Sequence, residues 1–284
     1  MRVRARGLVF DVTLGGADEG VPVLLLHGFP QNATMWDAVS PALHAEGLRT
    51  IAPDQRGYSP GARPPEVGAY AQPECVADAV AILDALGVER AHVVGHDWGA
   101  LVGWGLAARF PDRVSTLTAL SVPHPRALGR ALRTSPDQLR RSRYILLFRR
   151  AGRAEELLLE DDGRRLREAF AGSGLDAAGV DRYVAPMRVP GALTAALNWY
   201  RAPSILGRSG ADRAGTGDVG VPTTYVWSDA DAAIGRAAAR NCAREVTGEY
   251  RFVELPGLSH WMPDQAPEAV ADAVLGRVLA APNR

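Results

Sequence analysis

Lysine is missing from this chain of 284 residues, and all 32 basic side chains are arginine. That excludes Schiff-base and pyridoxal-type chemistry, and any phosphate loop built on a lysine. Cysteine is scarce. Cys75 and Cys242 are too few for a disulfide framework or a cysteine metal site. There is no charge excess, because 32 acidic residues match the 32 basic ones. A nucleic-acid or acidic-membrane binder would carry a basic excess or stripe, so neither partner is expected. Long apolar runs are lacking too. The run 21–26 is interrupted by Pro22 and falls far below the ~20 residues that span a bilayer. Arginines follow Met1 with no apolar segment behind them, so no signal peptide is read and a soluble, cytoplasmic protein is expected.

The remaining composition, 47% hydrophobic and 23% charged, is that of a folded globular chain. Short aliphatic runs predict strands over 8–14, 21–26, 49–53, 91–94, 115–121, 223–227 and 250–255. Amphipathic stretches between them predict helices over 36–46, 73–86, 100–110, 235–246 and 266–279. Such alternation argues for an α/β architecture with a mostly parallel, doubly wound sheet. From about 125 to 220 the alternation stops. Only helices are expected there, over 135–150, 154–160, 163–170, 177–183 and 191–201, before a Gly/Ser/Asp-rich return loop at 207–220. The chain therefore divides into a core of residues 1–124 and 221–284 and an inserted helical cap, 125–220.

The stretch Ala91-His92-Val93-Val94-Gly95-His96-Asp97-Trp98-Gly99-Ala100 runs from a strand through Gly-x-Asp-x-Gly directly into a helix. This is the pattern of a nucleophile elbow, with aspartate where serine usually stands. Its glycines suit a tight turn, and the helix start favours negative charge on Asp97. Alone, Asp97 could equally be a helix N-cap. His27-Gly28-Phe29-Pro30 follows a central strand, Ser228-Asp229-Ala230-Asp231 follows a late one, and Ser259-His260-Trp261 follows the last.

With four motifs in this order, the sequence resembles the α/β-hydrolase superfamily in its aspartate-nucleophile branch. The likeness covers roughly residues 20–125 and 220–275. It implies Asp97 as nucleophile, His260 as base and an acid that orients it. Asp229 and Asp231 compete for that last role, and the family spacing favours Asp231. The backbone N–H groups of Phe29 and Trp98 would form an oxyanion hole. A carboxylate attacking an ester or amide would give an uphill anhydride, whereas attack on an sp³ carbon gives a stable alkyl ester. Epoxides or alkyl halides are the substrates this allows.

The leaving group separates the two. An epoxide opens to an alkoxide that needs a proton donor, while a halide needs only N–H groups. Arg143-Tyr144-Ile145-Leu146-Leu147-Phe148 and Leu197-Asn198-Trp199-Tyr200-Arg201 resemble the two cap segments of soluble epoxide hydrolases, whose paired tyrosines hold the epoxide oxygen. The likeness implies Tyr144 and Tyr200 as the acids, although Tyr144 also reads as a core tyrosine. Haloalkane dehalogenases share Asp97-Trp98 but commonly carry Asn at the position of Phe29. Haloacetate dehalogenases share His-Gly-Phe-Pro but favour arginine at the position of Trp98. The expected function is cofactor-free, metal-free epoxide hydrolysis, acting on a small-molecule epoxide and water as a monomer or homodimer. A dehalogenase is the alternative, and a non-enzymatic receptor on the same fold is a third reading. His96, His124, Trp104 and Trp199 are expected to be structural, and Arg56 to be paired.

Overall fold

Four consecutive buried residues, Val23 to Leu26, explain why β3 (Val21–Leu26) lies at the centre of a sheet covered on both faces. A computed structural model describes residues 1–202 and 217–281. β1 (Arg2–Ala5) and β2 (Leu8–Gly15) form an antiparallel hairpin, and β2 runs antiparallel to β4 (Leu48–Pro53). From β4 on, every pairing is parallel, through β3, β5 (Ala91–His96), β6 (Val114–Leu120), β7 (Thr223–Trp227) and β8 (Tyr250–Glu254). The eight-stranded order is β1-β2-β4-β3-β5-β6-β7-β8. A parallel sheet puts the C-terminal ends of its strands on one edge, so the turns after β3, β5, β7 and β8 converge there.

In the core, α1 (Ser40–Ala45), α2 (Gln72–Ala85), α3 (Trp98–Arg109), α10 (Arg236–Arg240), α11 (Met262–Gln265) and α12 (Pro267–Val278) flank the sheet. The helix expected over 36–46 starts only at Ser40, because Pro41 suits a first turn and not an interior. The one expected over 235–246 shortens to α10 and a 3₁₀ turn at Cys242–Glu245, where Cys242 Sγ accepts the His124 N–H.

Between β6 and β7 the chain is helical: α4 (Pro125–Thr134), α5 (Pro136–Arg141), α6 (Tyr144–Phe148), α7 (Arg153–Glu168), α8 (Ala177–Met187) and α9 (Ala192–Arg201). Side chains cap several of these helices: His124 accepts from Arg126 N–H, Ser135 from Gln138 N–H and Asp176 from Gly179 N–H. α7 is interrupted at Glu160–Gly163, the boundary expected between two helices. The single helix expected over 135–150 is instead split into α5 and α6. Tertiary contacts pin α5 to the loop after β7: Gln138 donates to Ala233 O, and Arg141 donates to Asp231 O. The return loop expected at 207–220 lies outside the described residues as far as 216. No described helix is long and apolar enough to cross a membrane.

Candidate active site

The turn from β5 into α3 holds Asp97 at φ 53°, ψ −116°, a left-handed conformation rare for a residue with a side chain. Neighbouring glycines make the turn possible. A Cβ on Gly95 would strike the Gly99 carbonyl, one on Gly99 would strike the Leu26 carbonyl, and one on Gly28 would strike the Asp97 side chain. At Gly28 the chain therefore approaches Asp97 with backbone alone. Asp97 Oδ1 accepts the Phe29 N–H at 3.0 Å, and the Trp98 N–H faces the same carboxylate. Burial pushes the Asp97 carboxyl above its ordinary range, while nearby His260 and the two N–H groups oppose the shift.

His260, on the turn after β8, faces two carboxylates. Its Nδ1 lies 3.1 Å from both oxygens of Asp231 and 3.0 Å from Ser121 Oγ. Its Nε2 lies 3.7 Å from Asp97 Oδ2. Burial alone would lower the imidazole, but Asp231 and then Asp97 raise it to about 9. Asp231 is fully buried and accepts from Ser121 Oγ–H at 2.6 Å, Ala233 N–H at 2.8 Å and Ile234 N–H at 3.1 Å. Burial opposes its ionisation, yet the His260 charge and these hydrogen bonds hold it below the usual carboxylate range. Of the two competing acids the structure brings Asp231 to His260. Asp229 is half-exposed, accepts the Gly257 N–H and stands beside Arg236.

Tyr200, near the end of α9, is buried and meets Trp98 edge-on with ring centroids 4.8 Å apart. Tyr144, the first residue of α6, stands 6.2 Å from Tyr200 by the same measure and is half-exposed. Both tyrosines, Asp97 and Trp98 line one cavity, completed by Leu101, Val122, Leu128, Ile145 and Ile234. Burial raises both phenols above their ordinary range, and the Asp97 charge adds to this.

The supporting residues have plain structural partners. His96 donates from Nε2 to the His260 carbonyl at 2.9 Å, and burial pushes it down to about 3. Trp104 donates to Val122 O, and Trp199 donates to Arg56 O at 2.8 Å. Arg56 forms a buried two-pronged pair with Asp78, both contacts at 2.6 Å. Ser121 was not singled out by sequence. Its place at the end of β6, on the same sheet edge, was the available signal. Among the described residues no cluster of His, Cys, Asp and Glu could hold a metal ion.

The model of the alpha/beta hydrolase fold family matches residues 21–267. The chain belongs to the α/β-hydrolase superfamily. This α/β hydrolase is 34% identical to Epoxide hydrolase A of Mycobacterium tuberculosis, over 91% of this chain and 90% of that protein. It is 33% identical to the AB hydrolase superfamily protein YfhM of Bacillus subtilis, over 96% and 95%. The crystal structure of Epoxide Hydrolase A from Mycobacterium thermoresistibile superposes with a TM-score of 0.87 at 29% identity, covering 100% of this chain and 99% of that one.

Proposed function

We propose that this α/β hydrolase is an epoxide hydrolase that opens an epoxide to a vicinal diol through an ester on Asp97. The observation that carries the reading is one cavity lined by Asp97 together with Tyr144 and Tyr200. A carboxylate nucleophile sharing a cavity with paired acids suits a substrate whose leaving group is an alkoxide. The relative named Epoxide hydrolase A, matched over 90% of its length, supports the same substrate class.

Asp97 Oδ1 is engaged by Phe29 N–H, so Oδ2 is the oxygen free to attack an epoxide carbon. As the C–O bond breaks, a hydroxyl of Tyr144 or Tyr200 passes its proton to the leaving oxygen. The attack consumes the charge that helps raise both phenols, so they become stronger acids as the alkoxide forms. His260, oriented by Asp231 and Ser121, then takes a proton from water. The resulting hydroxide adds to the carboxyl carbon of Asp97. Charge on Oδ1 is received by the N–H groups of Phe29 and Trp98. Collapse expels the diol as its alkoxide, which takes the proton from His260, and the proton left on the Asp97 carboxyl returns to the tyrosinate, so every group is regenerated. No cofactor or metal enters this cycle. Residues 125–220 act as a cap over a core of 1–124 and 221–284.

The test is a panel of aryl, alkyl and polycyclic epoxides beside chloro- and bromoalkanes, reading diol and halide together. Diol without halide is expected. Halide release without any diol would replace the epoxide reading with a dehalogenase.

A further inference from the structure

Asp264 lies on α11, four residues after His260, and does not line the cavity. Its two carboxylate oxygens are taken by donors from distant parts of the chain. Gln31 donates from Nε2 to Oδ2 at 2.6 Å, and the Tyr183 hydroxyl donates to Oδ1 at 2.7 Å. Both donors are fully buried. Burial drives the Asp264 carboxyl up to about 6, while Tyr183, Arg182 and Gln31 pull it back, so at neutral pH it is an acceptor for both.

Each donor leads to a part of the site. Gln31 stands two residues beyond Phe29, whose N–H holds Asp97 Oδ1. Tyr183 belongs to α8, and its ring stacks on Phe170 with centroids 5.4 Å apart. Phe170 in turn stacks on Trp261 at 4.3 Å, and Trp261 donates from Nε1 to Ala169 O at 2.8 Å. Trp261 follows His260 directly. One carboxylate thus joins the loop that supplies an N–H to Asp97, the turn that carries His260 and a helix of the 125–220 segment.

We propose that Asp264 is a positioning residue for ester hydrolysis, holding the Phe29 loop and the His260 turn in fixed register against α8. The inference rests on the epoxide-hydrolase reading. Hydrolysis needs His260, the attacked carbon and both N–H donors aligned at once, whereas alkylation needs Asp97 and the tyrosines but not His260. Loss of the clamp therefore falls on the second half-reaction.

The experiment is single-turnover kinetics on wild type, Asp264→Ala and Tyr183→Phe with a reactive aryl epoxide. Ester formation and decay are followed by rapid quench and intact-protein mass spectrometry. Asp264→Ala is expected to slow ester decay about tenfold or more while alkylation stays within about twofold, so that ester accumulates. Tyr183→Phe removes a single oxygen atom, remains informative if Asp264→Ala does not fold, and is expected to slow decay in the same direction. Wild-type decay in both variants would overturn the proposal. So would equal loss of both steps, which marks a merely structural role. A wild type that makes no diol removes the epoxide reading and this one with it, whereas normal wild-type turnover beside unaltered variants removes this one alone.

Discussion

His260 Nε2 lies 3.7 Å from Asp97 Oδ2, beyond hydrogen-bonding distance but well inside the range of charge interaction. Asp97 is accordingly one of the groups that hold His260 up at about 9. In the proposed mechanism esterification removes that charge, so alkylation would itself move His260 toward the neutral form a base requires.

Asp97→Asn should lower the His260 pKa, read from imidazole proton shifts in an NMR titration. The raised value also links to stability. Its contribution is fully present below the ordinary value of 6.5 and is lost as pH rises through about 9. In Asp97→Asn that window should close at a lower pH in chemical unfolding. An unchanged His260 titration would refute the coupling.

Replacing His260 with Gln should leave attack possible while removing the base for hydrolysis. An adduct equal to the epoxide's mass should then accumulate, and peptide mapping should locate it on the segment containing Asp97. Adding Asp97→Asn should abolish it. If water attacked the epoxide directly, no variant would carry an adduct even where wild type turns the substrate over. Formation should be followed over hours, because the His260 change can also disturb the site.

Tyr144→Phe and Tyr200→Phe should each slow alkylation while leaving diol binding largely intact. The double variant should lose a factor on the order of 10²–10⁴, the usual range for general-acid catalysis. Stopped-flow tryptophan fluorescence can follow the step, since Trp98 meets Tyr200 edge-on. Wild-type epoxide opening in the double variant would remove the acid role.

Asp78→Ala should destabilise the fold by about 3–5 kcal/mol, because it strands the buried Arg56 guanidinium. Urea unfolding measures this. A change below about 1 kcal/mol would mean the pair adds little net stability.

The fold was legible where physical chemistry is local. Continuous apolar strands and the switch to helical periodicity after β6 give the architecture. The glycines around Asp97 are legible because only backbone fits against Gly99, Leu26 and Asp97. Asp97, Asp231 and His260 follow β5, β7 and β8, and a parallel sheet brings such turns to one edge. Other features depend on contacts that no sequence window contains. β1 is too short to announce itself and forms by pairing with β2. Ser121 reaches Asp231 and His260 because the backbone turns to φ 66° there, a conformation its residue type does not advertise. The Gln31–Asp264 contact spans 233 positions. The split of the helix expected over 135–150 came from α5 being pinned to the Asp231 loop, against its own propensity.

Asp97 stands at the turn from β5 into α3, and the two tyrosines of the same cavity belong to helices α6 and α9. Under the proposed displacement, nucleophile and departing oxygen must lie in line, so the attacked carbon is inverted. The ester is then cut at its acyl carbon, leaving the new carbon–oxygen bond intact. A cyclic epoxide would thus emerge as the trans diol. The oxygen it gains would come from the protein and not directly from solvent. In isotopically heavy water, the first turnover would label Asp97 and release an unlabelled product.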